Sequence, residues 1–235
     1  MSDSKPLLIA ENETSVTSNL IENQLRSKLI NVYNKGINEY GYTQEALGCL
    51  KDRRISRFSA LTNNLNLDLS SILDFGCGLG DLVSFLSNNK ISATYHGVDI
   101  NQKLITQCKK EFPKQKFNAI NSYTDIKTSY DFIFISGVFN DKWVENEEEQ
   151  EKIIHGILSY LFQYTNRVLS LNFMTTDVDF RAENAYYQDM YLISKFISKH
   201  LSKRFIVNTS YLRYEYTIQI FKNEELDHNY AYKCS

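Results

Sequence analysis

The sequence predicts an α/β fold: a mostly parallel sheet with helices on both faces, an antiparallel C-terminal hairpin and N-terminal helices ahead of it. Three observations carry this. Ile72, Leu73 and Phe75 form a short apolar run suited to a strand buried on both faces; Gly76, Gly78 and Gly80 follow, and a helical pattern starts at Leu79, Leu82, Phe85 and Leu86. A second short strand begins at Tyr95 and ends in Asp99, 19 residues after Gly80. Near the C-terminus, Leu212, Tyr214, Tyr216, Ile218 and Ile220 alternate with Arg213, Glu215, Thr217 and Gln219. This run is joined so tightly to 204–209 that the two must pair antiparallel.

The glycine turn is the chemical centre. Without Cβ atoms the backbone can tighten and a ligand can approach it directly. The helix that follows points its free N–H groups at the same spot. A nucleotide-type ligand fits such a turn. In the dinucleotide fingerprint Gly-x-Gly-x-x-Gly, a pyrophosphate rests on the helix N-terminus. Here the third glycine comes one residue earlier, and Asp74 stands two positions before the first. Its carboxylate would repel a pyrophosphate and suit a cationic amino group. An acid such as Asp99, at the tip of the second strand, can accept both hydroxyls of a ribose. A capping acid for the next helix is the plainer alternative.

Composition narrows the function classes. The chain has 235 residues, of which 43% are hydrophobic, enough for one α/β domain with spare length at the N-terminus. A net charge of −2 leaves no general basic footprint for long RNA or DNA. Cys49, Cys77, Cys108 and Cys234 form no Cys-x-x-Cys pair, so neither a disulfide framework nor a metal site is expected. With no signal peptide and no apolar run of about 18 residues, a cytoplasmic protein without a membrane partner is expected.

Taken in order, residues 1–18 read as a polar tail. A first helix is expected over 19–33, and a second, capped by Thr43, to about Leu61. Residues 19–65 then form an N-terminal helical cap, and 66–235 the ligand-binding domain. Lys51, Arg54 and Arg57 share one face of the second helix, as a solvated basic face or as a grip for an anionic group. A helix from Asn101 to Glu111 ends before Pro113, and Lys116 to Ile120 is a third strand. Tyr130 onward is a central strand whose exit, Ser136-Gly137, lets the chain pass close to a ligand. The acidic run Glu145 to Glu151 opens a helix, where its charge suits the dipole. His155 lies in that helix's apolar stripe, as a core-edge residue rather than a base. Val168 to Met174 is a fifth strand with Asn172 near its tip. The irregular stretch Thr175 to Tyr187 is a candidate substrate wall.

The Asp-x-Gly-x-Gly-x-Gly pattern of Asp74 to Gly80, with Asp99 beyond it, resembles motif I and the acidic second-strand tip of class I S-adenosylmethionine-dependent methyltransferases. The resemblance spans about Tyr40 to Lys222. It implies a Rossmann-like, seven-stranded, mostly parallel sheet with a reversed C-terminal hairpin. S-adenosylmethionine is then the cofactor, held by Asp74, Gly76, Cys77, Gly78, Gly80 and Asp99. Ile100 would pack on the adenine, and Asn101 would cap the next helix beside it. Asn121 stands where the family often has an acid near the base; a simple turn residue is the alternative. Arg57-Phe58 is similar to an Arg-Phe pair of relatives, which makes Arg57 the preferred cationic grip.

Ser136 to Asn140 resembles motif IV, beside the reactive sulfonium, but it is not the Asn/Asp-Pro-Pro-Tyr of enzymes that methylate exocyclic base nitrogens and glutamine. Asn140, Asn172 and Tyr187 are the candidate catalytic residues on the acceptor side; a loop amide and packing roles are the alternatives. The full pattern resembles bacterial small-molecule methyltransferases, some of which occur with sugar and surface-polysaccharide biosynthesis. An O- or N-methyltransferase for a small polar metabolite, such as a sugar derivative, is the expectation. A protein or nucleic-acid methyltransferase, or a catalytically silent cofactor-binding partner, stays open. The chemistry requires no metal.

Overall fold

The computed structural model of the chain describes residues 7–48 and 51–222, except for the side chains at 7–22, 51 and 52. Helix α1, Leu7–Tyr40, is continuous. It runs through most of the segment expected as a polar tail and past the expected end at Tyr33, while residues 1–6 lie outside the described ones. No proline interrupts Leu7 to Tyr40, and Gly41, at φ +70°, ends the helix as its N–H reaches Ile37 O at 2.9 Å. The expected second helix divides into a 3-10 turn, Glu45–Leu47, and helix α2, Lys51–Thr62. Thr43 does not cap it: its hydroxyl donates back to Tyr40 O at 3.2 Å.

Among the described residues the sheet has eight strands. They are β1 Ser71–Phe75, β2 Thr94–Asp99, β3 Lys116–Ala119, β4 Tyr130–Ile135, β5 Thr165–Thr175, β6 Tyr187–Gln188, β7 Phe205–Leu212 and β8 Glu215–Phe221. The order is β3-β2-β1-β4-β5-β8-β7, with β6 paired to the end of β5. Pairs from β3 to β5 are parallel, whereas β8 runs antiparallel to both β5 and β7. The seven-strand path matches the expectation. The two-residue β6 is the addition, formed at the end of the stretch expected to be irregular. The hairpin turns at Arg213-Tyr214, later than the Ser210 break in the expected strands.

Among the described residues four more helices flank the sheet: α3 Asp81–Asn88, α4 Gln102–Glu111, α5 Glu147–Gln163 and α6 Met190–His200. Strand alternation divides the core between the two faces. Ile133 and Ile135 pack with Leu169, Leu171, Ile154, Leu158 and Ile193 on the α5–α6 side. Phe132 and Phe134 pack with Leu61, Leu82, Ile105 and Ile72 on the α2–α3–α4 side. The polar half of β8 lies under α2, not in solvent. Gln219 donates to Leu61 O and Asn63 O, both at 3.0 Å, so the strand satisfies carbonyls that the helix end leaves open. Among the described residues no helix is long and apolar enough to cross a membrane.

Candidate active site

The C-terminal tips of β1, β2 and β4 open on one cavity of about 210 Å³. This is where the strand order reverses, since β1 and β4 are neighbours, and ligands of open α/β sheets bind at such points. Asp74 to Leu79 and Asp99-Ile100 line one side, and Ser136, Gly137, Val138, Asn140 and Asp141 the other. Leu29 and Tyr33 of α1, Gln44 and Leu47 of the 3-10 turn, and Arg54, Arg57 and Phe58 of α2 cover it.

The glycine turn is tied to β2: the N–H groups of Gly76 and Cys77 both donate to Val98 O, at 2.8 and 3.0 Å. Gly76 has φ +76°, and a Cβ there would stand 2.2 Å from Val138 Cγ2, so only glycine lets the two walls approach. Gly80 does not line the cavity, contrary to expectation. A Cβ there would press on the rings of Phe112 and Phe117 at 3.0–3.3 Å, so its smallness serves the packing of α3.

Asp99 sits where expected. Its Oδ2 accepts from Gly78 N at 3.0 Å and its Oδ1 from Asn101 N at 2.8 Å. Burial lifts its pKa to about 6, with the N–H groups of Asn101, Gly78 and Ile100 pulling the other way. Asp74 is buried deeper and rises to about 7 for the same first reason, opposed by Tyr95, whose hydroxyl donates to its Oδ2 at 2.7 Å. Ile100 lines the cavity; Asn101 does not. Asn101 caps α4, accepting from Lys103 N at 2.9 Å, and holds Asn34 of α1 at 3.2 Å. Its part is to hold Asp99 through its own N–H. Asn121 is also displaced from its expected role. It is exposed and takes Arg26 Nη1 of α1 at 2.6 Å, while Ile120 next to it faces the cavity.

Of the basic face of α2, Arg54 and Arg57 are paired within the protein. Arg54 pairs with Asp81, which Gln44 also engages, at the start of α3. Arg57 forks onto Glu215 of β8, Nε to Oε2 at 2.6 Å and Nη2 to Oε1 at 2.7 Å. The expected grip on a ligand anion is thus committed to a protein carboxylate. The Lys51 side chain lies outside the described residues.

Beyond β4, Ser136, expected at the cofactor, and Asn140, expected at the acceptor, both line the cavity. The Asn140 amide oxygen is buried without a hydrogen-bond partner among the described residues. Asn172 is fully buried instead: its Oδ1 accepts from Gly137 N at 2.7 Å, and its Nδ2 donates to Glu215 Oε2 at 3.1 Å. Both ends of the amide are used in holding the turn after β4, so it does not reach an acceptor. Tyr187 is also buried away from the cavity, its hydroxyl accepting from Ala182 N at 2.9 Å to close the loop before β6. His155 stacks on Phe196, ring centroids 3.6 Å apart, and is the core-edge residue expected. The acids Glu147, Glu148 and Glu149 form the first turn of α5, capped by Asn146.

Several cavity residues escaped the sequence. Tyr33 donates to Asp141 Oδ2 at 2.6 Å, and Gln44, Asp81 and Trp143 were not singled out at all. The one available signal for Asp141 was its place directly after Asn140.

Residues 73–162 match the family model described as a methyltransferase domain. A protein of Mycobacterium tuberculosis named as a candidate methyltransferase is 26% identical over 157 residues, covering 66% of this chain and 95% of that one. A tRNA (guanine-N(7)-)-methyltransferase of Prochlorococcus marinus is 29% identical over 158 residues, covering 62% of this chain and 74% of the relative. Among solved structures, magnesium protoporphyrin IX methyltransferase of Synechocystis with bound S-adenosylhomocysteine shares the fold. Its TM-score is 0.54 at 19% identity, over 73% of this chain and 81% of that one. The glycine turn under an acidic β2 tip, the sheet order with its reversed hairpin, and the matched segment agree: residues 73–162 carry a methyltransferase domain, on a fold like that of class I S-adenosylmethionine-dependent methyltransferases.

Proposed function

We propose that the chain transfers a methyl group from S-adenosylmethionine to an oxygen or nitrogen atom of a small polar metabolite, sugar derivatives being the first class to test. The observation that carries this is the shared cavity: the nucleoside-type side, Gly76 to Gly78 with Asp99, faces Ser136 to Val138 with Asn140 and Asp141 across a space roofed by α1 and α2.

The residues present fit the cofactor. The Cβ-free backbone at Gly76 and Gly78 admits close approach, and the Asp99 carboxylate, with about four lone-pair sites, can accept ribose hydroxyls beside its bonds from backbone N–H groups. Ile100 and Ile120 supply apolar surface for a base. Asp74 complements an ammonium group through the turn. S-adenosylmethionine supplies a methyl group already activated by positive sulfur. The protein's task is therefore to align the acceptor and exclude water, the part we give to Ser136, Asn140 and the cap of residues 19–65 over the domain of 66–235.

The small cavity and the net charge of −2 support a small acceptor over the polyanionic tRNA of one relative. Incubating the protein with methyl-labelled S-adenosylmethionine, and either a small-metabolite extract or bulk tRNA, decides between them. Label in the small-molecule fraction is the expected result; label in tRNA alone overturns it.

A further inference from the structure

We propose that Asp141 is the general base of the transfer, receiving the proton of an acceptor hydroxyl or amine, with Tyr33 of α1 holding its carboxylate. The inference rests on the methyltransferase reading and defines the kind of atom that is methylated.

Asp141 follows Asn140 at the exit of β4 and lines the same cavity as the glycine turn and Ser136. Its backbone is pinned: Gln150 Nε2 donates to its carbonyl at 2.8 Å, and it bridges to Ala185. Tyr33 donates to Oδ2 at 2.6 Å, whereas no described residue donates to Oδ1. One oxygen is therefore fixed and the other is open to a proton. This is the geometry of an oriented base.

The charged groups around it are few. Tyr33 comes from α1, Arg57 from α2, and Asp99 acts on Tyr33 from β2. Burial lifts the Asp141 carboxyl above its usual range, and Tyr33 and Arg57 offset part of that rise. The Tyr33 phenol is pushed well up by burial and by Asp141, so it stays a donor. An acid lifted toward neutrality is a better proton acceptor than an ordinary surface aspartate.

The surroundings also select the acceptor. The cavity is lined by the carboxylates of Asp74, Asp81, Asp99 and Asp141, against Arg54 and Arg57, which are already paired with Asp81 and Glu215. A hydrogen-bond donor suits this wall, and a phosphate or carboxylate beside the methylated atom does not. In the step itself the acceptor O–H or N–H bond breaks and its proton passes to Asp141 Oδ1. The electron pair left on the acceptor bonds to the methyl carbon as the carbon–sulfur bond breaks, and that bond's electrons neutralise the sulfur.

Two measurements test the proposal. In the full chain saturated with S-adenosylhomocysteine, carbon-13 carboxyl titration of labelled aspartates, assigned with Asp141→Asn, should place Asp141 above the ordinary carboxylate range. Tyr33→Phe, which removes a hydrogen bond to the ionised form, should move it higher still. In the labelled-methyl assay with the metabolite extract, Asp141→Asn should lose about 10²–10⁴-fold in transfer, while S-adenosylhomocysteine affinity stays within about threefold. An Asp141 that titrates as an ordinary carboxylate and ignores Tyr33→Phe overturns the proposal, as does an Asp141→Asn enzyme that transfers like wild type. Wild-type protein that binds S-adenosylhomocysteine but labels no small molecule refutes the proposed acceptor class, and the titration still decides on Asp141.

Discussion

Arg57 of α2 and Glu215 of β8 form a two-pronged ion pair, 2.6 and 2.7 Å long, between residues 158 apart in the chain. Their side chains are 12% and 3% exposed. Glu215 also takes the Asn172 amide, which in turn holds Gly137 N, so one network ties the covering helix to the turn after β4. Removing one partner leaves a buried charge without its counterpart, at a cost of about 3–5 kcal/mol. Glu215→Ala should therefore lower stability by that amount in urea unfolding, and a change below about 1 kcal/mol would show the pair to be dispensable.

Asp74 sets a pH dependence opposite to that of a salt-bridged acid. Its folded pKa, about 7, lies well above that of an ordinary aspartate, so the folded state holds the proton more tightly. Stability is then greatest below about pH 4 for this group and is lost as pH rises toward 7. Asp74→Asn removes the penalty. Wild type and variant should agree in unfolding free energy near pH 4 and diverge by about 2–4 kcal/mol by pH 8, the variant being more stable. A constant difference across that range contradicts the assignment.

Gly76→Ala introduces a Cβ at 2.2 Å from Val138 Cγ2 at a backbone φ of +76°. The variant should lose about 1–3 kcal/mol and bind S-adenosylhomocysteine poorly. Adding Val138→Ala relieves the clash but not the backbone strain. The double variant should therefore recover only part of the stability, which thermal melting reads directly.

Asn140 and Tyr187 separate by experiment. Asn140→Ala should lower kcat far more than cofactor affinity, because it borders the acceptor side. Tyr187→Phe loses only the bond from Ala182 N and should leave kcat within about threefold. Equal losses for both would return Tyr187 to the reacting centre.

What the sequence made legible was what is local or periodic. The run Asp74 to Gly80, the tip at Asp99, the cap at Asn101 and the 212–220 alternation each lie within one or two elements, and their spacing encodes their geometry. Long-range partners are not encoded that way. Tyr33 meets Asp141 across 108 residues, and neither has a neighbour in sequence that announces the other. Arg57 had the right position but an unforeseen occupant, and Asn172 lay at a strand tip yet turned inward to Gly137. The strand β6 was invisible because two residues carry no period. Helix α1 was cut short because its N-terminal half lacks an apolar stripe.

The central claim is that Asp99 and the glycine turn hold S-adenosylmethionine, and calorimetric titration of S-adenosylhomocysteine into wild type and Asp99→Asn tests it most directly. Each charge-assisted hydrogen bond contributes about 1.5–3 kcal/mol, so the variant should bind at least about tenfold more weakly, while still unfolding in one cooperative transition. NAD should give no heat with either protein. Equal S-adenosylhomocysteine affinity in both proteins, or tight binding of NAD, would contradict the account.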